Sequence, residues 1–143
     1  GLPICLMHMQ GQPDTMQNNP SYDDVVTEIE TFLKERIAAC EAAGIERSKL
    51  LIDPGFGFGK TPEHNLRLTN QLQRYQKLGC PILVGLSRKS TIRKLLGDSD
   101  QALLIGSVIG AVWAYQRGAS ILRVHDVAAT KLALTIAQNL NET

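Results

Sequence analysis

The sequence predicts an α/β fold in which four parallel strands alternate with four main helices. One observation is that short, continuously apolar segments, typical of strands buried on both faces, are spread along the chain. Another is that the segments between them have apolar residues at helical spacing, and this alternation implies right-handed crossovers. The third is that polar residues directly follow the strands. In a parallel barrel or an open sheet such residues meet on one face.

Turn and capping residues set the limits of the elements. The predicted strands cover residues 3–9, 50–53, 81–85 and 119–124. The predicted helices cover about 21–43, 61–78, 103–116 and 128–140, with a short helix over about 90–96. Ser21 or Asp23 can cap the first helix, and Gly44 ends it. Thr61 caps the second helix, and residues 97–101 form a polar turn before the long apolar helix.

Composition and charge narrow the class of protein. The chain has 143 residues, 43% apolar and 20% charged, which is typical of one globular domain. A net charge of +1 gives no overall field that would favour nucleic acid or an anionic membrane as a partner, so any anion site has to be local. No apolar run approaches the roughly 20 residues that span a bilayer. The N-terminal segment lacks a basic region, which predicts an internal strand rather than a signal peptide.

The cysteines predict the redox state of the protein. Cys5, Cys40 and Cys80 are odd in number, widely spaced and without a CxxC motif, so neither a disulfide framework nor a zinc site is expected. We expect reduced, partly buried thiols in a cytoplasmic protein. The sequence also has no carboxylate cluster and no set of histidines and cysteines that suggests a metal held by this chain.

The segment 50–60, LLIDPGFGFGK, is the most informative part of the chain. An apolar strand delivers Asp53 to a loop whose alternating glycines allow positive φ and close approach to a ligand. A buried carboxylate needs hydrogen-bond donors, which a planar aminopyrimidinone with adjacent N–H groups would supply. Phe56 and Phe58 suit the walls of a flat site. The alternatives are that Asp53 caps amides of its own loop and that the phenylalanines pack on that loop.

Two further polar motifs follow strands. In the segment 87–90, SRKS, Lys89 could donate to a carbonyl oxygen or ring nitrogen, and Ser90 lies near a helix start, where a carboxylate or phosphate is favoured. The alternative there is a solvated basic turn. Arg123 and His125 are two residues apart, so both point to one side and suit an oxyanion such as diphosphate. The alternative is a salt bridge beside a hydrogen-bonded core histidine.

Together these motifs resemble those of bacterial dihydropteroate synthases. The matching segments, in the order and spacing of that family, are CLMHMQG at 5–11, DPGFGFGK at 53–60, GLSRKS at 85–90 and RVHDV at 123–127. The family folds as a (β/α)8 TIM barrel. It joins 6-hydroxymethyl-7,8-dihydropterin diphosphate to p-aminobenzoate and releases diphosphate, which makes dihydropteroate for folate synthesis. Sulfonamide inhibitors compete for its aminobenzoate site.

The resemblance implies a pterin slot and assigns residues to it. Asp53 and Lys89 would hold the pterin, Met7 and Gly85 would line the slot, and Arg123 would stack on the ring. From the pattern alone Met7 is more often a core residue than a pocket wall. Its place in the slot therefore depends on the resemblance.

The resemblance also implies where the other reactants bind. Arg123 and His125 would bind the diphosphate, while Phe58, Lys89 and Ser90 would border the aminobenzoate. Lys89, Arg123 and His125 are accordingly the implied catalytic residues. Catalysis would consist mostly of positioning and of stabilising the leaving group. Mg²⁺ is an implied cofactor, but its protein ligand belongs to the N-terminal half of the family's barrel.

This resemblance covers only strands 5–8 of the family's barrel. Residues 1–143 would form the C-terminal half of a pterin-binding barrel domain, which alone is expected to be inactive. Such a half would leave an apolar sheet face and two edges uncovered and would associate with its missing half or with a copy of itself. Family members are usually homodimers through C-terminal helices, a role that 103–116 is apolar enough to serve. Ala102 and Leu103 replace the family's acid–arginine pair, which bears on the anchoring of the adjacent loop.

Two other functions stay open. A cobalamin-dependent, pterin-binding methyltransferase domain shares the barrel and the pterin slot, although the SRKS loop argues against it. Such an enzyme handles no aminobenzoate and releases no diphosphate, so binding of either ligand discriminates. A non-catalytic barrel fragment that only binds or assembles would give no turnover even with the N-terminal half supplied.

Overall fold

The computed structural model describes residues 1–141 and contains a four-stranded parallel sheet; residues 142 and 143 of the predicted domain lie outside that description. The strands are β1 (Ile4–Met7), β2 (Leu50–Asp53), β3 (Ile82–Val84) and β4 (Ala119–Leu122). They pair in the order β1-β2-β3-β4. Each crossover leads to the next strand along the sheet, which is the winding of a parallel barrel. The predicted α/β fold is confirmed.

Helices connect the strands and pack on the sheet. They are α1 (Val25–Ala42), α2 (Pro62–Asn70), α3 (Ser90–Leu96), α4 (Asp100–Gln116) and α5 (Val127–Asn141), with 3-10 helices at Arg47–Lys49 and Leu72–Leu78. Val26, Ile29 and Leu33 of α1, at helical spacing, are fully buried in the core between helices and sheet. Among residues 1–141 no single helix is long and apolar enough to cross a membrane, although the bent pair α3 and α4 meets that length and composition test together.

The second helix differs from its prediction. One helix is predicted over 61–78, but α2 ends at Asn70 and a 3-10 helix follows. In that 3-10 helix Leu72, Tyr75 and Leu78 are buried. Their spacing matches the three residues per turn of a 3-10 helix, so this winding turns all of them toward the core. The buried Tyr75 hydroxyl also donates to a carbonyl oxygen of α1 at 3.1 Å.

Two helix starts also differ from their predictions. The N-cap of α1 is Asp24, not Ser21 or Asp23, and its carboxylate accepts hydrogen bonds from N–H groups of the first turn. The long helix α4 begins at Asp100, because Ser99, inside the predicted polar turn, accepts a hydrogen bond from the first turn.

Three of the four strands end earlier than predicted, whereas β2 ends at Asp53 as predicted. Met7, Val84 and Leu122 are the last residues of β1, β3 and β4. The residues predicted to continue these strands therefore begin the loops instead. These loops lie at the carboxyl ends of parallel strands, where a barrel or open sheet places its ligand sites.

The sheet has one covered and one uncovered face. The side that faces the helices is mostly buried, although Ile4 at the start of β1 is exposed. The opposite side carries Cys5 and Ile121, both exposed, and Leu51 and Leu83, both half-buried. Within residues 1–141 the outer sides of β1 and β4 pair with no other strand. The uncovered apolar face and open edges expected from the sequence are therefore present.

We expect this chain to associate in solution, because an apolar face and open strand edges favour contact with a second chain. Light scattering behind a sizing column at micromolar concentration measures the mass. Ile121→Lys puts a charge on the uncovered sheet face and is expected to shift the chain toward a monomer. Ala38→Lys, on an exposed position of α1, is the matched control and is expected to leave association unchanged. A monomeric mass for the unaltered chain would contradict the prediction.

Candidate active site at the carboxyl ends of the strands

Asp53 lies at the centre of the polar end of the sheet. It ends β2 and is 2% exposed. One carboxylate oxygen accepts a hydrogen bond from the N–H of Gly55 at 2.8 Å, and the other lies 3.6 Å from the guanidinium of Arg123. Burial raises the pKa of Asp53, while the Gly55 N–H and nearby cations act in the opposite direction. Capping of its own loop thus occupies only one oxygen, and the other faces the site.

The glycine loop after β2 is packed directly on the segment after β1. Gly55, Gly57 and Gly59 have φ of 75°, 82° and 62°. A Cβ at Gly55 would lie 1.8 Å from the carbonyl oxygen of His8, and one at Gly59 would lie 2.4 Å from that of Gln10. The motif therefore requires glycine at these two positions for both backbone conformation and space.

Lys60 holds this loop from inside. It is 3% exposed, and its ammonium donates to the carbonyl oxygens of Gly55 (2.9 Å) and Phe58 (3.0 Å) and to Nδ1 of His8 (3.0 Å). Burial lowers the pKa of Lys60 to about 7. Burial and the charge of Lys60 together lower the pKa of His8 to about 4, so a neutral His8 accepts the hydrogen bond.

The two phenylalanines of the glycine loop have different environments. Phe56 is 6% exposed and belongs to the hydrophobic core rather than to the wall of a flat site. Phe58 is half-buried, and its ring centroid lies 4.4 Å from Nζ of Lys89. Only Phe58 is therefore available as a wall of the site.

Lys89 connects the SRKS loop to the glycine loop. Its ammonium donates to the carbonyl oxygen of Phe56 at 2.5 Å and lies against the ring of Phe58. Burial lowers the pKa of Lys89 to about 8, while the charge of Asp53 acts in the opposite direction. Ser90 is exposed and begins α3 directly after Lys89. Lys89 therefore stands between the buried carboxylate and the exposed start of α3.

Arg88 does not belong to a solvated turn. Its Nε and Nη2 donate to the two carboxylate oxygens of Asp126, both at 2.9 Å, and its Nη1 donates to Asp100 at 2.6 Å. The backbone of Arg88 has φ of 55°, and its N–H donates to Oγ of Ser107 at 2.8 Å. A bidentate arginine–carboxylate pair fixes orientation as well as position. The SRKS loop is therefore anchored to the start of α5 and to α4.

This anchoring does not use the two positions at which the sequence departs from the family pattern. Leu103 is buried in the core, and its carbonyl oxygen accepts a hydrogen bond from Ser107 Oγ at 2.6 Å. The N–H of Ala102 donates to the capping hydroxyl of Ser99. Neither the Ala102 nor the Leu103 side chain carries a charge. The ion pairs that hold the loop are therefore those of Arg88 with Asp100 and Asp126.

Arg123 and His125 border a cavity of about 160 Å³, which is also lined by Gly85, Ser87, Lys89 and Val124. The backbone N–H of His125 donates to Oγ of Ser87 at 3.2 Å, and its ring Nδ1 lies 3.0 Å from the same oxygen. Because His125 is exposed, it is not the core histidine of the alternative interpretation. A Cβ at Gly85 would lie 2.8 Å from the guanidinium of Arg123, so a larger residue there would displace the end of that side chain.

Most of the predicted site residues thus meet at one end of the sheet. Asp53, Lys89 and Arg123 are close enough to influence one another's charge. Met7 is half-buried and is the register partner of Asp53 in the neighbouring strand. Among residues 1–141 no group of three or more His, Cys, Asp or Glu side chains could hold a metal ion, so the implied Mg²⁺ has no ligand set in this part of the chain.

Sequence reasoning missed two residues that shape the site. Lys60 carries no signal other than closing the glycine motif, and its three acceptors become neighbours only in the folded chain. From the sequence Asn65 is expected to be an ordinary polar residue on the surface of a helix, yet it is 1% exposed. A buried polar residue on the core side of an amphipathic helix is the one pattern that could have indicated it.

Comparison with known proteins identifies the family. The family model described as "Pterin binding enzyme" matches residues 1–125. The chain belongs to the pterin-binding enzyme family. Dihydropteroate synthase of Escherichia coli (strain K12) is 51% identical over 138 residues, which are 96% of this chain and 49% of that relative. Dihydropteroate synthase of Neisseria meningitidis serogroup B is 50% identical over 141 residues, with 96% of this chain and 50% of that relative covered.

Solved structures of pterin-binding enzymes match the fold. Yersinia pestis dihydropteroate synthase with a sulfonamide drug complex aligns with a TM-score of 0.95 and 50% identity, over 99% of this chain and 52% of that one. Xanthomonas albilineans dihydropteroate synthase in complex with 7,8-dihydropteroate aligns with a TM-score of 0.90 and 48% identity, over 99% and 52%. The resemblance and the TIM-barrel class are confirmed. The chain spans about half the length of these relatives, their C-terminal half.

We expect Gly55→Ala to destabilise the fold far more than Gly44→Ala. Both glycines have positive φ, but a Cβ at Gly44 meets nothing within 4 Å, whereas one at Gly55 would overlap the carbonyl oxygen of His8. Gly44→Ala should lower the free energy of unfolding by about 1–2 kcal/mol, the cost of the left-handed backbone. Urea denaturation measures the change in each variant. Equal losses in both would show that the close contact at Gly55 is not limiting.

We also expect Lys60 to make the stability rise with pH. The unfolded chain keeps this proton up to about pH 10.5, whereas the folded chain loses it near pH 7. This stability is fully present above the unfolded pKa and is lost as pH falls through about 7. The free energy of unfolding, measured in urea, should rise by about 2 kcal/mol more between pH 7 and 9 in the unaltered chain than in Lys60→Met.

Lys89→Met is the control for the pH experiment. Lys89 also has a lowered pKa, and it contributes to the pH dependence of both the unaltered chain and Lys60→Met. If Lys60→Met keeps the full pH dependence while Lys89→Met loses it, the titration belongs to Lys89 and the prediction for Lys60 is wrong.

Proposed function

We propose that residues 1–143 form the C-terminal half of a pterin-binding barrel domain whose complete form is a dihydropteroate synthase. The observation that carries the proposal is the buried carboxylate of Asp53, with Lys89 and Arg123 near it, at the carboxyl ends of the strands. The similarity over 96% of the chain to the Escherichia coli enzyme supports it. So do the Xanthomonas albilineans relatives in complex with 7,8-dihydropteroate and with 4-aminobenzoic acid.

In this proposal Asp53 recognises the pterin ring. Its outward carboxylate oxygen accepts hydrogen bonds from adjacent N–H groups of the aminopyrimidinone, which offset the cost of burying a charge. Lys89 donates to the ring, and the planar guanidinium of Arg123 stacks on it. Met7 and Gly85 line the slot. Glycine at position 85 leaves space for the Arg123 guanidinium, which a Cβ there would approach to 2.8 Å.

Arg123 and His125 bind the diphosphate beside the cavity of about 160 Å³ that they border. Ser87 Oγ accepts the backbone N–H of His125, so its own proton can be donated to Nδ1 of the ring. That arrangement leaves the proton of a neutral His125 on Nε2, ready to donate to an oxyanion. These two residues with Lys89 stabilise the charge that develops on the leaving group.

The aminobenzoate lies between Phe58, Lys89 and Ser90 in this proposal. Its amine nitrogen forms a bond to the exocyclic methylene carbon of the pterin and loses a proton. The carbon–oxygen bond to diphosphate breaks, and its electron pair leaves with the diphosphate. The chain contributes mainly by holding the two reactants in line. Sulfonamides would compete for the same place.

The remaining parts of the proposal concern partners and location. We propose a cytoplasmic homodimer with no nucleic-acid or membrane partner, in which α4 contributes to the contact between copies. The exposed Ile109 and Trp113 of α4 support such a contact. The free thiols of Cys5, Cys40 and Cys80 support a reducing compartment. Mg²⁺ would be held by residues of the N-terminal half.

We expect the chain to bind a pterin analogue when mixed with the N-terminal half of the Escherichia coli relative, measured by titration calorimetry. Asp53→Asn keeps the shape but removes the charge, so affinity should fall about ten- to a hundredfold, as for a lost hydrogen bond to a charged group. Asp98→Asn, which changes an exposed carboxylate, is the matched control. Equal affinity in the two variants would contradict the role of Asp53.

The same mixture tests the reaction itself. Release of diphosphate with both substrates present, and none from the chain alone, is the expected result. Binding of the pterin analogue without binding of p-aminobenzoate and without diphosphate release would favour the methyltransferase alternative. Absence of any binding in the mixture would leave a barrel fragment that only assembles.

A further inference from the structure

We propose that Asn65 is a positioning residue that sets the aminobenzoate region, by joining the glycine loop to the first turn of α3 through a buried amide. This inference rests on the proposed function and adds to it a residue outside the four motifs that hold the proposed reactant contacts. The bridge runs from Gly57 through Asn65 to Thr91.

The cap of α2 fixes the backbone position of Asn65. Thr61 caps α2 by accepting a hydrogen bond from the N–H of His64 at 3.2 Å, while the N–H of Thr61 donates to Nδ1 of His64 at 3.2 Å. The next N–H, that of Asn65, donates to the carbonyl oxygen of Thr61 at 3.0 Å. This reciprocal cap leaves the first turn of the helix little freedom. The side chain of Asn65 is thus held in the core, where it is 1% exposed.

The amide of Asn65 satisfies two partners that no other local side chain serves. Its Oδ1 accepts a hydrogen bond from the N–H of Gly57 at 2.8 Å, and its Nδ2 donates to Oγ1 of Thr91 at 2.9 Å. Thr91 is 2% exposed, so the bond to Asn65 is shielded from water. The neutral amide serves both partners without burying a charge, whereas a carboxylate would bury one and an alkyl group would serve neither partner.

Both ends of the bridge lie one residue from a predicted aminobenzoate contact. Gly57 precedes Phe58, and Thr91 follows Ser90. Lys89 lies close to the first of these ends, since a Cβ at Gly57 would be 3.1 Å from its Cδ. The bridge therefore fixes the separation of Phe58 from Ser90 without either side chain touching Asn65. Lys60 holds the part of the glycine loop next to Asp53 and the Phe58 carbonyl, whereas Asn65 joins that loop to α3.

A core role alone does not account for an asparagine at this position. Burying an amide costs free energy that an apolar residue would not lose, and the two hydrogen bonds offset that cost only when both are made. Packing would be served by an alkyl side chain of similar size. The asparagine instead fixes the position of Gly57 relative to Thr91, which lies 34 residues further along the chain.

The test compares ligand affinities in the mixture of this chain with the N-terminal half. Thr91→Val breaks the bridge and keeps the shape, and we expect it to weaken p-aminobenzoate binding about five- to tenfold, the loss of one hydrogen bond, with pterin-analogue affinity within about twofold. Thr91→Ser keeps the hydroxyl and should restore the affinity. Thr69→Val is the matched control, because its hydroxyl bonds only the backbone carbonyl of Asn65 within α2.

A second measurement, amide hydrogen exchange of Gly57, detects the hydrogen bond to Asn65 directly. In the chain labelled with ¹⁵N-glycine, the amide proton of Gly57 should be protected from exchange, and Asn65→Leu should remove that protection while Thr69→Val keeps it. This exchange measurement does not need a ligand. In the affinity test, Thr91→Ala replaces Thr91→Val if the valine variant does not fold.

Each other outcome overturns the inference. Equal weakening of both ligands would mean that Asn65 acts only on the stability of the fold. Unchanged aminobenzoate affinity in Thr91→Val, or an unprotected Gly57 amide in the unaltered chain, would mean that the bridge positions nothing. If the unaltered mixture binds neither ligand, the proposed function fails and this inference fails with it.

Discussion

The close approach of two backbone segments is the constraint on which the site depends. The loop after β2 passes the end of β1 so closely that a methyl group on Gly55 would lie 1.8 Å from the carbonyl oxygen of His8. Glycines make this approach possible but provide no side chain to hold it. Lys60 stabilises the loop conformation by hydrogen bonds from inside the loop. A buried ammonium is tolerated there because each of its N–H groups has an acceptor. The positions of Asp53 and Phe58 follow from this contact.

The charges at the strand ends are arranged around one buried carboxylate. Burial opposes the charged form of Asp53, Lys60 and Lys89 alike, and the opposite charges partly compensate one another. The result is a carboxylate with a raised pKa beside lysines with lowered pKa values. An exposed guanidinium from Arg123 and an exposed imidazole from His125 complete the arrangement on the solvent side. In the proposed function, this arrangement would separate recognition of a neutral ring, deep in the sheet, from binding of an anion near the surface.

The SRKS loop is held by a different means, an ion pair rather than backbone contact. Arg88 reaches the carboxylates of Asp126 and Asp100 and so fixes a backbone with positive φ. The family's acid–arginine pair is absent at Ala102 and Leu103, yet the loop is anchored by neighbours on both sides. Together with Asn65, these contacts connect three loops that follow different strands.

The sequence by itself determined the α/β class, the four strands and the placement of Asp53, Lys89 and Arg123 after them, because hydrophobic pattern and glycine positions act locally. It also determined the family, since its motifs are specific. Only the tertiary structure decided the break after Asn70, where core contacts favour three residues per turn, and the burial of Phe56. It likewise decided the roles of Lys60 and Asn65. Their partners include His8, 52 residues away, and Thr91, 26 residues away, and no local pattern encodes such distant contacts.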